Sequence, residues 1–223
     1  MASCVLSKVG RVSPSKANGF QNRIKRALDV LVSGVMLTLL WPVMLVVGFM
    51  VRLKMGRPVL FRQDRPGLDG ETFEMLKFRT MVDDPEGKIE RPEGVVGDGA
   101  RITPLGAWLR ATSLDELPEL LNVFRGDMSL VGPRPLLTHY MEHYNDHQKR
   151  RHEVKPGITG LAQVEGRNDL SWGERLDTDV RYVETWTILG DLKILLKTLK
   201  VAASRDGIED TVENFDEWLE KRQ

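Results

Sequence analysis

From Val30 to Val51 the chain reads VLVSGVMLTLLWPVMLVVGFMV, an apolar run without one charged residue. At about 1.5 Å per residue, a straight helix of that length reaches roughly 33 Å, enough to cross the hydrocarbon core of a bilayer. Pro42 stands near its middle, where it removes one helical donor and crowds the carbonyl of Thr38, so a kink is expected there. Beyond Arg57 there is no second long apolar run, and the apolar positions take the short periods of a folded domain. Pro58 to Arg62 and Thr72 to Phe78 predict extended segments around the turn RPGLDG. Helical spacing predicts helices over Leu105 to Arg110, Glu116 to Phe124, Leu136 to Arg151, Ser171 to Leu189 and Asp191 to Ala203. The acidic, Pro/Gly-rich stretch from Val82 to Asp98 predicts a surface loop. The expected fold is mostly α with short β elements.

The flanks of the apolar run decide how it meets a membrane. Arg23, Lys25 and Arg26 precede it and Arg52, Lys54 and Arg57 follow it, so the positive-inside rule places both ends in the cytoplasm. A re-entrant helical hairpin bent at Pro42 satisfies both the charges and the proline. A kinked single-pass helix is the alternative. A cleaved signal peptide is disfavoured, because about thirty residues precede the run and no Ala-x-Ala-like site follows it. In the last predicted helix, Leu192, Leu195, Leu196 and Leu199 share one side and Lys193, Lys197 and Lys200 another. That layout suits either a helix lying at a lipid surface or one packed on the core with a solvated lysine face. The organisation read from these signals is a basic segment at 1–24, an anchor at 25–57, a cytosolic domain at 58–205 and a charged tail at 206–223, the tail loosely held.

Charge sharpens this picture. The 223 residues contain 32 Lys or Arg and 32 Asp or Glu, yet residues 1–57 carry nine of the cations against a single acid, Asp29, so the basic end is where a membrane or polyanion is met. With 41% hydrophobic and 29% charged residues the chain is neither disordered nor polytopic. The single cysteine, Cys4, excludes an internal disulfide and a Cys-rich zinc site.

No G-x-G-x-x-G, P-loop, H-E-x-x-H or G-x-S-x-G motif is present. His139, His143 and His147, spaced by four, would share one face of a helix, as a metal stripe or as a wet surface. The richer signals are KFRTM (Lys77 to Met81), LRATSLDELPEL (Leu109 to Leu120), GDMSLVGPRP (Gly126 to Pro135) and KPGITGLAQVEGRN (Lys155 to Asn168). In Ser113-Leu-Asp-Glu116 the spacing fits a capping box, or an N-cap at Asp115 followed by Pro118 in the first turn. The same geometry suits a carboxylate that attacks phosphorus or holds a divalent cation. Lys77, Arg79, Arg110, Arg134 and Arg167 lie in turn-bounded segments and are candidates for an anion clamp. Pro133-Arg134-Pro135 is the most suggestive, since two rigid φ angles hold a guanidinium whose planar fork matches phosphate oxygens.

In their order and combination, the basic-apolar-basic start with its central proline and the motifs KFRTM, TSLDELPEL, SLVGPRP and KPGITGLAQVEGRN resemble the bacterial monotopic phosphoglycosyl transferases, in their small, catalytic-domain-only form. The resemblance runs from about Lys25 to about Ala203. It implies a re-entrant membrane helix broken at Pro42, then a cytosolic catalytic domain with interfacial amphipathic helices. The family commonly breaks that helix at Ser-Pro, whereas this chain has Trp41-Pro42. The implied activity is transfer of a sugar 1-phosphate from a UDP-sugar to polyprenol phosphate at the cytoplasmic face of the bacterial inner membrane, with release of UMP and with Mg²⁺. It implies Asp115 as the nucleophile and a metal contact, and Glu116 beside it in a dyad. Lys77, Arg79, Arg110 and Arg167 are then expected near the phosphates and Arg134 near the nucleotide. Membrane lipid is an expected partner and nucleic acid is not. The rival readings are a single-pass adaptor without catalysis and a nucleotide-sugar enzyme without a covalent intermediate.

Overall fold

The computed structural model describes residues 19–83, 101–166, 170–204, 215 and 218. Its first element, α1 (Gly19–Met55), is a single helix that continues through Pro42, so two separate helices of a hairpin are not seen. Along most of its length α1 leaves large apolar side chains uncovered, among them Leu31, Leu39, Trp41, Leu45 and Phe49. The rest of its circumference packs on the domain. Near the N-terminal end Lys25 pairs with Asp191 and donates to the carbonyl of Val131, Arg26 donates to the carbonyls of Val123 and Phe124, and buried Asp29 accepts from the Leu130 amide. Near the C-terminal end Val47 and Val51 are buried with Phe78 and Leu109. The same domain therefore grips both ends of the apolar helix.

The chain then turns back in the antiparallel hairpin β1 (Leu60–Pro66) and β2 (Thr72–Phe78), in register from Leu60 opposite Phe78 to Pro66 opposite Thr72. Helix α2 (Pro104–Ala111) starts where Thr103 accepts the Gly106 amide at 2.9 Å and Pro104 pre-sets the first turn. A Cβ on Gly106 would lie 1.9 Å from the carbonyl oxygen of Thr80, so a glycine there lets α2 lie against the backbone of the KFRTM segment. Next come a 3₁₀ turn at Leu114–Glu116, α3 (Glu119–Arg125), which Gly126 ends in the left-handed region, and the short strand β3 (Ser129–Val131). After 3₁₀ turns and α4 (Asp146–Lys149), strand β4 (Gly157–Thr159) pairs in parallel with β3. Helices α5 (Leu161–Glu165), α6 (Trp172–Thr185) and α7 (Ile188–Ser204) complete the fold. The expectation of a mostly helical chain with short strands holds.

Three clusters form the core. Leu120, Val123, Met128, Val131, Tyr182 and Ile194 join α3, β3, α6 and α7, with Leu37 and Leu40 of α1 packed against them. Val47, Val51, Phe78 and Leu109 bind α1 to β2 and α2. The third gathers Leu136, Tyr140, Tyr144, Trp172 and Leu176 around Phe215 and Trp218. Phe215 is 1% exposed and stacks on Tyr140 at 3.8 Å, so at Phe215 and Trp218 the chain packs on the domain; the other residues of the expected tail lie outside the described residues.

Several expected helices differ. The helix expected over Glu116 to Phe124 begins only at Glu119, after Pro118. Leu136 to Arg151 is not one helix: Asn145 opens a new turn with a capping box to Gln148. His139 and His143 consequently lie in a 3₁₀ segment and His147 in α4, so the three-histidine face does not form. Most of the predicted acidic loop lies outside the described residues. In α7, Ile194 is buried and Leu195 packs on the core, while Leu189, Leu192, Leu196 and Leu199 form an uncovered apolar stripe. The helix therefore packs on the core through one face and leaves a second apolar face uncovered.

Candidate active site

Backbone packing fixes the place of the charged groups. β3 and β4 approach so closely that a Cβ on Gly157 would stand 2.1 Å from the Gly132 amide nitrogen, and one on Gly132 would stand 2.3 Å from the Lys155 carbonyl oxygen. The glycines of GPRP and KPGITG thus serve strand contact. That contact carries the Pro133-Arg134-Pro135 loop: the Gly157 amide donates to the Pro133 carbonyl at 3.0 Å, and the Arg151 guanidinium donates to the Arg134 carbonyl at 2.7 Å. Arg151 is itself held by Asp179, with contacts of 2.7 and 3.1 Å in a nearly water-free setting. On the opposite side, buried Asn122 accepts from the Leu76 amide and donates to the Glu74 carbonyl, locking β2 to α3 beside Lys77.

The result is a compact alternation of charge. Lys77 Nζ lies 2.6 Å from Glu116 Oε1 and 3.1 Å from Glu119 Oε1, and Arg134 Nη2 lies 2.6 Å from the same Glu116 oxygen. Burial works against a charged Glu116, but Arg134 and Lys77 overcome it and hold the carboxyl at about 2. Among the described residues Glu119 ion-pairs with Lys77, which it shares with Glu116; it is pushed up to about 7, chiefly by burial and then by Glu116, against the pull of Lys77 and the more distant Arg134. Asp115 is 7% exposed, and no side chain among the described residues hydrogen-bonds or ion-pairs with its carboxylate. Burial and then Glu116 raise its pKa, against the pull of Lys77 and Arg110. Ser113 sits at φ 53 in the left-handed region and makes no side-chain cap. This rules out the capping box, and Asp115 does not cap α3 either, because α3 starts after Pro118.

The structure brings Lys77, Arg110, Asp115, Glu116 and Arg134 together. Arg110 reaches the cluster from α2, its Nε donating to Thr80 at 3.0 Å. Arg79 is placed elsewhere. Its guanidinium donates to the carbonyls of Met55, Arg57 and Met81 and to Asp83, so it clamps the C-terminal end of α1, where a cation also suits the helix dipole. The sequence-expected role near the phosphates is corrected to that of a clamp. Arg167 lies outside the described residues. Glu119, Arg151 and Asp179 were not singled out from sequence; only Glu119 left a trace there, as the third acid of DELPEL.

For the magnesium expectation, no group of three or more His, Cys, Asp or Glu side chains suited to a metal exists among the described residues. Mg²⁺ typically takes one or two carboxylates and draws the rest of its shell from water and substrate phosphates. The uncommitted carboxylate of Asp115 fits that mode.

Glu119 makes the site's stability depend on pH with a defined sign. Its ordinary value is 4.5 and its folded value about 7, so between those limits the folded protein keeps a proton that the unfolded chain has lost. Its contribution is full below about pH 4.5 and vanishes as the pH rises through about 7. Glu116 acts oppositely: its contribution is present above 4.5 and is lost as the pH falls toward about 2. The expected result is a midpoint of thermal unfolding that declines from pH 5 to 7 in the natural chain and is flatter in Glu119→Gln. Equal slopes in the two proteins would remove the assignment.

An apolar cavity of about 900 Å³ adjoins this cluster and counts Glu116 and Arg134 among its lining. A long apolar helix built into the fold, a carboxylate without a side-chain partner among the described residues, a row of cations and an apolar chamber together have the make-up of an enzyme site. The profile of the family described as bacterial sugar transferase matches residues 20–205, and the chain belongs to that family. It is 46% identical over 188 residues to an uncharacterized sugar transferase, EpsL, of Bacillus subtilis, covering 84% of this chain and 91% of the relative. It is 40% identical over 190 residues to the UDP-glucose:undecaprenyl-phosphate glucose-1-phosphate transferase of Caulobacter vibrioides, covering 82% and 70%. It is also 38% identical over 210 residues to the undecaprenyl-phosphate galactose phosphotransferase of Salmonella typhimurium. That last alignment covers 88% of this chain but only 44% of the relative, so the chain spans less than half of the longer proteins it matches.

Proposed function

We propose that the protein transfers a sugar 1-phosphate from a UDP-sugar to polyprenol phosphate, in the first membrane step of assembling an exopolysaccharide, O-antigen or glycoprotein glycan. The observation that carries this reading is the pairing of a buried carboxylate, Asp115, which has no side-chain partner among the described residues, with a neighbouring Glu116 already neutralised by Lys77 and Arg134. An Asp115 oxygen attacks the sugar-bearing phosphorus of the donor. The new bond is an acyl phosphate, the bond broken is the phosphoanhydride, and UMP leaves with that bridging oxygen. A polyprenol phosphate oxygen then attacks the same phosphorus, forming a polyprenyl diphosphate sugar and returning the carboxylate. Lys77, Arg110 and Arg134 offset the charge that would otherwise repel a carboxylate from a diphosphate. Mg²⁺ held by Asp115 and the donor's phosphate oxygens would supply further neutralisation. The relatives' names for galactose and UDP-glucose carriers support this class of donor.

The test is incubation with UDP-glucose or UDP-galactose and Mg²⁺ but no lipid acceptor. The expected result is UMP release and a gain of one sugar phosphate on the Asp115 peptide by mass spectrometry. UDP release, or turnover with an unmodified peptide, overturns the reading.

The same reading places both ends of α1 on the cytoplasmic side of the bacterial inner membrane, with the helix re-entering rather than crossing. In support, Lys25 and Arg26 at one end and Arg79's clamp on Met55 and Arg57 at the other belong to one domain. Single cysteines placed at 20 and 60 in a Cys4→Ser background are both expected to react only from the cytoplasmic face. Labels on opposite faces support the single-pass adaptor.

A further inference from the structure

We infer that the cavity beside Glu116 and Arg134 receives the isoprenoid chain of the lipid acceptor, which enters sideways from the bilayer between α1 and α7. This inference rests on the functional reading above and adds to it the path and the seat of one substrate. Three observations carry it. The first is the wall. Leu120, Leu130, Ile158 and Leu195 give the chamber an apolar stretch, while its charged lining includes Glu116, Arg134, Arg151 and Asp179. Along the apolar stretch the hydroxyls of Thr159 and Thr198 satisfy each other: Thr198 gives its proton to the Ile194 carbonyl at 2.9 Å, so the 2.7 Å contact with Thr159 is one in which Thr159 donates. Sugar hydroxyls laid against that stretch would forfeit hydrogen bonds with water. A hydrocarbon chain would lose none.

The second observation is the location. Met36 of α1 and Leu199 of α7 both line the chamber, and both helices carry large uncovered apolar side chains, Leu39 and Leu31 on one and Leu192 and Leu196 on the other. The chamber is thus bounded by the two elements best suited to lipid contact. A chain lying among acyl tails can slide into it without crossing water.

The third observation is the polarity of the two ends. Arg134, whose guanidinium keeps an open side, lines the chamber together with Glu116, and Asp115 belongs to the same 3₁₀ turn as Glu116. A phosphate at the head of a chain seated here meets the Arg134 fork next to the carboxylate that carries the sugar phosphate. Asp115 is not part of the chamber wall, which suits a donor that reaches it from outside the chamber. The two substrates then approach one carboxylate by separate routes.

The test uses the full-length protein in nanodiscs and a polyprenyl phosphate carrying a benzophenone on its chain. Photolysis of the natural chain is expected to label peptides containing Ile158 to Val164 and Leu195 to Val201. Labels confined to other peptides overturn the inference whatever the variants do. Filling the chamber by Ala162→Phe or Thr198→Phe is expected to raise the KM for polyprenyl phosphate at least tenfold, read against the amount of Asp115 adduct formed from donor alone in the same preparation. An unchanged acceptor KM in a variant that still forms the adduct also overturns it. Failure of the natural chain to form any adduct strikes the functional reading, whereas a normal adduct with labels elsewhere strikes only this chamber.

Discussion

Asp115→Asn is expected to lower turnover by about 10³-fold or more while leaving the protein folded, because it removes the attacking oxygen without removing any side-chain contact. Most buried carboxylates are poor subjects for such an experiment, since deleting one partner of an ion pair strands the other. Asp115 differs: Lys77 answers to Glu116 and Glu119, and Arg110 to Thr80. The asparagine has the same shape and no charge to desolvate, so the thermal midpoint should stay level or rise slightly. The decisive pair of measurements is steady-state UMP release and the unfolding midpoint on one preparation. Turnover close to that of the natural chain would sink the covalent mechanism. Lost turnover with a collapsed midpoint would show that the residue serves the fold instead.

Lys77→Met is expected to have the largest effect on stability, a loss of about 3 kcal/mol or more. The lysine side chain is 16% exposed and bridges two carboxylates of which one, on Glu119, is 3% exposed. Methionine keeps the aliphatic stem but leaves Glu116 to Arg134 alone and Glu119 with no cation at hydrogen-bonding distance. Glu119 will then hold its proton to still higher pH, so the loss should deepen as the pH rises. The double variant Lys77→Met/Glu119→Gln should recover a substantial part of it, and a double-mutant cycle on thermal unfolding in detergent measures that coupling. Strict additivity would mean that the lysine and Glu119 do not interact as drawn.

What the sequence makes legible follows from the range of each interaction. The apolar helix, α2 and the motifs that carry Lys77, Asp115, Glu116 and Arg134 are local signals, and the structure brings those four residues together. Glu119 is mistaken for ordinary helix because its partner, Lys77, stands on another element. Arg151 and Asp179, separated by 28 positions, carry no spacing that would mark them as a pair. Strands of three residues, such as β3 and β4, are too short for alternation to show. Arg79 misleads for a different reason. It follows the last residue of β2, so the two-residue period that would align it with Lys77 has already ended, and the open carbonyls at the end of α1 claim its guanidinium.

Because Lys25, Arg26 and Asp29 insert into the domain at one end of α1, and Val47 and Val51 complete its core at the other, the anchor is a wall of the enzyme rather than a leash. Trimming it away would not liberate a water-soluble catalyst; it would open two of the three clusters that hold the charged pocket in shape. Setting the apolar helix in place and giving the pocket its form are, for this chain, a single event.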